Sequence, residues 1–473
     1  MASNHGVVIT AGLADWQIIQ QDTSGHGKIE IAGEWRSSDG AAGVVEVRLA
    51  FEDTSASVNQ ALHWTEAQTK SDGTWSATID GIPAGGLYRL ETRLNNAGRS
   101  RADWSQRGDV RHFLGVGDIW VIAGQSNSAG YGRGSYSDPP EMGIHMLRNS
   151  LEWSLATHPM NDSTDTKHPV NSEGSTSGHS PYLNFARELK KHLGYPIGLI
   201  QTSLGGSPLS AWNPAEPGDA ALFHNMAECV RQAGGSVKGV LWYQGESDCD
   251  ADSARTYAYR FLAAVREWRV ALNNPTLAVI TVQLNRMTVP CAEDTAWSIV
   301  REAQRQVAKS DRLVTIVPAL DLPLTDHIHN APAGNMALGA RMALSALQRV
   351  YAKPVVGDAP DLIDARLVEE RKTVELTFSP VVSMLSTLDD RIIPFRVVDD
   401  DGDVPIVAMK CPIDIGTSTL LASAANTIRL ALGRPTHGKT RVHAAFGANP
   451  PLLPMDMERT MPILAFYDVE VQP

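Results

Sequence analysis

The chain has 473 residues, with 41 Lys and Arg against 53 Asp and Glu and a formal charge of −12 at pH 7. It is too long for one hydrophobic core, and its acidic balance argues against a nucleic-acid or anionic-membrane partner, which would need a basic face. No apolar run reaches the roughly 20 residues of a membrane-spanning helix. Met1–His5 lacks the basic-then-apolar order of a secretory signal, so the expectation is a soluble chain, cytoplasmic or, after loss of a leader, secreted. Cys229, Cys249, Cys291 and Cys411 are widely spaced and form no Cys-x-x-Cys pair. That disfavours a zinc knot and leaves disulfides an open question.

Residues 1–115 read as β. Val45, Val47, Leu49 and Phe51 alternate with more polar neighbours, as do Trp75, Ala77 and Ile79, and then Tyr88, Leu90, Thr92 and Leu94. Short strands with Gly, Asp and Pro punctuation predict a small β-sandwich. Residues 116–352 change rhythm. Apolar strand candidates at 119–123, 197–202, 239–243, 278–284 and 313–319 are mostly separated by helical patterns at 181–193, 254–270, 296–308 and 335–352. In the first of these helices Ser180 is placed to cap, Pro181 to open and Gly194 to close. Strands alternating with helices predict a mainly parallel sheet covered on both faces. Residues 353–473 return to β, with alternation at Val374–Phe378 and Ile428–Leu432. Asp399–Asp403 reads as a solvated turn rather than a calcium loop, because the glutamate of an EF-hand's twelfth position is missing. The flanking β regions are read as packing partners of the centre, with glycan binding as the other role.

The run Asp118-Ile-Trp-Val-Ile-Ala-Gly-Gln-Ser-Asn127 stops abruptly at Gly124 and delivers Ser126 to the end of a buried strand. On an open α/β sheet that rim is where ligands bind. Ser126 is the candidate nucleophile; otherwise it caps the next helix. The flanks are not the Gly-x-Ser-x-Gly elbow, since position 128 is serine. His329 is the candidate base, in Thr325-Asp-His-Ile-His-Asn330, with Asp326 three residues earlier to accept from its Nδ1–H. His327 is the rival base, and His327, His329 and Asp326 could instead ligate a metal. Gly205 and Gly206 can bring a backbone N–H close to a substrate, or simply make a turn. Gln244, after the strand at 239–243, can offer a side-chain N–H to a developing oxyanion; losing one such donor costs about 100- to 1,000-fold in rate.

Gly124-Gln-Ser-Asn127, Gly205-Gly206, Gln244-Gly-Glu246, Asp326-x-x-His329 and Trp297-x-x-x-Arg301-Glu-Ala-Gln304 together resemble the SGNH (GDSL-like) hydrolase superfamily. More narrowly, they are similar to its sialate O-acetylesterase-like branch, close to carbohydrate esterase family 6, over roughly residues 117–350. The resemblance implies a flavodoxin-like three-layer α/β/α SGNH hydrolase domain at 116–352, flanked by an N-terminal β-sandwich-like domain (1–115) and a C-terminal β domain (353–473). It also implies a serine esterase that removes O-acetyl groups from carbohydrates, sialate or plant polysaccharide, through an acyl-enzyme. Ser126, Asp326 and His329 would be its triad. The Ser126 amide, an amide at Gly205 or Gly206, and the Gln244 side chain would form its oxyanion hole. Gln125, Asn127, Trp212 and Glu246 are candidate substrate contacts, although Trp212 could equally be core and Glu246 could hold its loop. Related sequences often carry methionine where Ser128 stands, and proline or an aromatic where Asn330 stands; both changes are expected to alter the pocket wall. No metal or organic cofactor is required. The alternatives are a broad short-chain acyl or aryl esterase and a non-catalytic glycan-binding protein. The expected partner is an O-acetylated carbohydrate, with no nucleic acid or membrane, and the oligomeric state is not read.

Overall fold

The computed structural model describes residues 6–37, 42–54, 63–96, 106–174, 177–414, 419–420 and 424–473; Met1–His5, where a leader was sought, lies outside them. The chain is mixed α/β. Its centre is a sheet of β1 (Gln106–Gly124), β2 (Ile144–Leu147), β3 (Trp153–Leu155), β4 (Ile197–Gln201), β5 (Gly239–Tyr243), β6 (Ala278–Gln283) and β7 (Val314–Pro318), in the order β3-β2-β4-β1-β5-β6-β7. All neighbours pair in parallel except β3, the return arm of a hairpin with β2. The segments β4, β5 and β6 are buried at every position, as their unbroken apolar runs require of strands covered on both sides.

Among the described residues, six α-helices connect and cover these strands: α1 (Ser126–Ala129), α2 (Tyr182–Leu193), α3 (Ala221–Gln232), α4 (Ala251–Ala271), α5 (Asp294–Ser310) and α6 (Pro332–Arg349). Helix α2 packs on α6, and α4 on α5. Helix α2 buries Tyr182, Phe185, Ala186 and Leu189 as the periodicity predicts and ends at Gly194. Its start differs by one residue: Pro181, not Ser180, is the N-cap, and the Ser180 hydroxyl points into the interior. Helix α4 starts at Asp250, whose carboxylate accepts from the amides of Asp252 and Ser253. Helix α3 was not expected from the sequence.

Two antiparallel sheets precede the centre. One holds Gly6–Ala11, His26–Arg36, Gln68–Thr69 and Thr74–Pro83; in the other, Gly43–Phe51 pairs with Gly85–Asn96, which pairs with β1. Val7, Ile29, Ile31, Val45, Leu49, Trp75 and Leu90 from both meet in one buried cluster. Strand β1 belongs to both neighbourhoods. It begins beside Gly85–Asn96 and finishes between β4 and β5, so the chain passes residue 115 in mid-strand. The long segment 131–180, rich in Gly, Ser, Asp and Pro as a loop would be, carries the β2–β3 hairpin.

From residue 361 onward the chain is again β, around a second cluster of Leu362, Val374, Leu376, Phe378, Ile428, Leu430 and Phe466. The acidic turn is ion-paired: Asp399 takes Arg434 and Asp403 takes Arg396. This part docks on the sheet through polar groups. Gln283 exchanges two hydrogen bonds with Ala465 (2.8 and 2.9 Å). The fully buried Arg301 donates to the carbonyls of Leu284 (3.0 Å), Asn285 (2.9 Å), Gly447 (2.6 Å) and Ala448 (3.2 Å). Burial pushes its pKa down to about 10, which still leaves the guanidinium charged at neutral pH. Arg301→Met would strand those carbonyls away from water. We expect it to lower the unfolding free energy by about 3 kcal/mol or more; a change under about 1 kcal/mol in urea titration would refute this docking role.

Candidate active site

The carboxyl ends of β4, β1 and β5 lie side by side, and Ser126 stands just beyond the central one. The turn that presents it is tight. Gly124 has φ +125°, and a Cβ there would meet the Tyr243 carbonyl oxygen at 2.2 Å, so only glycine fits. The Gln125 amide then donates to the Tyr243 carbonyl at 3.0 Å. Ser128 is buried, bonding to the Ala123 carbonyl (2.9 Å) and the Tyr182 hydroxyl (2.6 Å). Ser126 opens helix α1, so its amide precedes the first intrahelical bond.

Three expected residues come together across 203 positions of sequence. His329 Nε2 lies 2.9 Å from Ser126 Oγ, and His329 Nδ1 lies 2.7 Å from Asp326 Oδ2. A carboxylate only accepts, so Nδ1 carries the hydrogen and Nε2 presents its lone pair to the serine hydroxyl. The other Asp326 oxygen accepts the amides of Ile328 (2.9 Å) and His329 (2.8 Å). Burial works to raise the Asp326 carboxyl, but the bonds from His329 and Ile328 outweigh it and hold the group below the usual carboxylate range. His327, the rival base, is exposed, and its carbonyl accepts from Thr288; its ring is not the one at the serine.

The candidate substrate contacts are engaged within the protein, and for Trp212 and Glu246 this is the other role the sequence offered. Asn127 is 3% exposed and acts as a tether: Oδ1 accepts the Asn330 amide (3.0 Å), while Nδ2 donates to Glu246 Oε1 (2.8 Å) and the Ile328 carbonyl (3.2 Å). Gln125 is buried and accepts the amides of Gly245 and Ser247. Glu246 holds Asn127, and burial raises its carboxyl above the ordinary range. Trp212 is fully buried, edge-on to Trp242, with its indole N–H on Ser207 Oγ; it is core and offers no face to a sugar. Asn330 is also buried, accepting from Asn285 Nδ2, so neither it nor Ser128 forms pocket wall.

The expected oxyanion donors divide. Gln244 is fully buried and already committed: Nε2 donates to Asp248 Oδ2 (2.6 Å) and the Ser207 carbonyl (3.3 Å), and Oε1 accepts from Tyr257. With both hydrogens spent, this side chain has none to offer a substrate oxygen. The Gly205 amide donates to Glu173 Oε2 at 2.9 Å. Gly206 is exposed, next to the Ser247 hydroxyl that donates to its carbonyl.

Sequence reasoning missed Tyr131 and Glu173, which border His329 and Gly205. They lie in the aperiodic segment 131–180, whose length and Gly-, Ser-, Asp- and Pro-rich composition suggest a loop lining the site but single out neither residue. That segment is pinned by Asp138, whose buried carboxylate faces His158 Nε2 (3.0 Å), His179 Nε2 (3.2 Å) and Arg187 of α2. Among the described residues this is the one cluster whose donor atoms, within 4.8 Å of one another, could approach a cation. The guanidinium on Asp138 and the face-to-face imidazoles (4.0 Å, 26°) suit an ion-paired pin better than shared ligation.

The family model described as carbohydrate esterase, sialic acid-specific acetylesterase, matches residues 116–348. A probable carbohydrate esterase of Arabidopsis thaliana is 30% identical over 263 residues, 50% of this chain and 94% of that protein. Human sialate O-acetylesterase is 25% identical over 244 residues, 43% of this chain and 44% of the human protein. A carbohydrate acetylesterase from Xanthomonas citri aligns in structure with TM-score 0.65 and 20% identity, covering 96% of this chain and 97% of its own; at that identity the likeness is one of fold. The class is that of the carboxylic ester hydrolases. Within it, the chain belongs to the carbohydrate esterase family of sialic acid-specific acetylesterases.

Asn127→Ala would release the histidine loop from the serine turn. We expect kcat/KM on nitrophenyl acetate to fall about 10- to 100-fold, with a stability loss of about 1–3 kcal/mol from the stranded Asn330 amide and Glu246 carboxyl; an unaltered rate in the folded variant would show that the tether is dispensable. The Asp138 pin gives a pH dependence. Burial first, and then the neighbouring His179 with a smaller part from Arg187, hold His158 below its ordinary value against the pull of Asp138. A ring kept neutral when folded and protonated when released costs stability as pH falls below about 6.5. Amide protection factors over 131–174, taken relative to intrinsic exchange at each pH, should therefore fall between pH 7 and pH 5; equal protection at both would contradict the pin.

Proposed function

We propose that this chain is a serine O-acetylesterase of carbohydrates that works through an acyl-enzyme. The observation that carries the reading is the continuous relay Asp326–His329–Ser126. Ser126 Oγ attacks the acetyl carbonyl while His329 Nε2 takes the hydroxyl proton. The oxyanion that forms is held by backbone amides, for which Ser126 and Gly206 are the candidates once Gln244 and Gly205 are committed elsewhere. Collapse breaks the ester C–O bond, and the sugar alcohol leaves with the proton from His329. Water, deprotonated by the same imidazole, then attacks the acyl carbon; the bond from that carbon to Ser126 Oγ breaks, His329 returns the proton to Oγ, and acetate is released. Asp326 stays ionised throughout and stabilises the imidazolium.

The same reading treats residues 116–352 as a flavodoxin-like α/β/α catalytic domain between β domains at 1–115 and 353–473. The parallel strand order and the separate apolar clusters on either side support it. O-acetylated carbohydrate is the substrate class, supported by family membership. One observation favours a second reading, an unselective short-chain acyl esterase: Trp212, which could have stacked on a sugar or served as core, is in the core.

Ser126→Ala should reduce acetate release at least about 10⁴-fold and leave the circular dichroism spectrum unchanged; turnover near the parent rate would refute the nucleophile. Comparing acetate release from acetylated xylan, acetylated pectin, O-acetyl sialic acid and nitrophenyl acetate separates the two readings. Activity confined to the synthetic ester would favour the unselective esterase.

A further inference from the structure

Two edges of the His329 ring are accounted for by Ser126 and Asp326. One face is also covered. Tyr131 lies on it, with ring centroids 4.9 Å apart and planes at 30°. The Tyr131 hydroxyl donates to Glu173 Oε1 at 2.6 Å, and Glu173 Oε2 accepts from Asn161 Nδ2 (3.0 Å) and the Gly205 amide (2.9 Å). Asn161 is itself fully buried and accepts from Asn149 Nδ2 at 2.7 Å. Three donors from three stretches of chain therefore fix this carboxylate, which distinguishes it from a solvated surface acid. A Cβ on Gly205 would lie 2.8 Å from Glu173 Oε1 and 2.9 Å from the Tyr131 hydroxyl, so the glycine leaves room for the pair.

We infer that Tyr131 and Glu173 are positioning residues for His329, holding its ring at the serine and stabilising the imidazolium that forms when Ser126 gives up its proton. The inference rests on the reading of His329 as the base. An aromatic face attracts a cation lying on it. A carboxylate bonded to the phenol adds negative potential behind that face. His329 would then sit between two acids, Asp326 at its Nδ1 edge and Glu173 across the tyrosine. Among the described residues, the other charged or titratable groups on the neighbouring segments include His327 on its own loop, Glu246 behind Asn127, and Arg133, whose amide donates to Thr325 Oγ1. The exposed Arg133 guanidinium donates to the Ser177 carbonyl and, as a cation, acts in the opposite sense.

The test is kcat and KM against pH on nitrophenyl acetate for the parent chain, Glu173→Gln, Tyr131→Phe and Ser126→Ala. A less stabilised imidazolium gives up its proton more readily. In Glu173→Gln the acid limb of kcat/KM should therefore move to lower pH by about half to one unit, with kcat reduced about 3- to 10-fold and KM little changed. Tyr131→Phe keeps the stacked ring but loses the bond to Glu173, and should move the limb the same way by less. It also decides the matter should the glutamine variant fail to fold. An acid limb that coincides with the parent's in the folded variants overturns the inference, whatever happens to the plateau. Activity surviving in Ser126→Ala would instead overturn the underlying reading of the relay.

Discussion

The side-chain amide of Asn127 fixes two pieces of backbone that enter the site from opposite ends of the central region. Its oxygen takes the amide of Asn330 and its nitrogen reaches the carbonyl of Ile328, so the residue after the serine grips both neighbours of the histidine. The distance over which proton transfer would occur is thereby set by one short, buried side chain rather than by the packing of whole helices. The rest of the site leans on this: Glu246 holds the amide, and Asn285 holds Asn330. Each support is a hydrogen bond between buried or partly buried groups, where an unmade bond is costly and the arrangement is correspondingly well determined.

Three acids near the serine differ in environment, and that separates their roles. Asp326 is partly exposed and receives three hydrogen bonds through its two oxygens, which keep it ionised. Glu246 is enclosed, bonded through one oxygen, and pushed toward the neutral form; its second oxygen has no hydrogen-bond partner among the described residues. Glu173 receives three donors but keeps some access to solvent. Composition makes these residues interchangeable; what divides them is the number of N–H and O–H groups the fold aims at each.

Much of this was legible in the sequence. The apolar runs that become β4 to β7 announce a parallel sheet, and the Asp-x-x-His spacing announces a carboxylate that can reach back to an imidazole. What was not legible depended on contacts between distant segments. Helix α3 carries Leu222, Phe223, Met226, Cys229 and Val230 at helical intervals. Its start is hidden because Ala220 at the N-cap supplies no capping side chain and the preceding stretch is rich in Pro and Gly. Gln244 has the residue type and position of an oxyanion donor, but Asp248, four residues later, and Ser207, from another strand end, absorb its hydrogens. Trp212 follows a glycine loop as a sugar platform would, yet Trp242 and Trp268 close over it. Tyr131 and Glu173 carry no periodicity at all, since their meeting depends on the buried asparagines beneath them.

The strand that ends at the serine also has a consequence for how such a chain can be divided. The family resemblance begins at residue 116, but Gln106–Gly124 is one uninterrupted strand, hydrogen-bonded to Gly85–Asn96 over its first half and to β4 and β5 over its second. Sequence kinship and mechanical independence therefore have different borders. The amino-terminal sheet is spliced into the same rail that carries the reactive hydroxyl, so any excision of the hydrolase part must leave that rail whole and take its upstream partners with it.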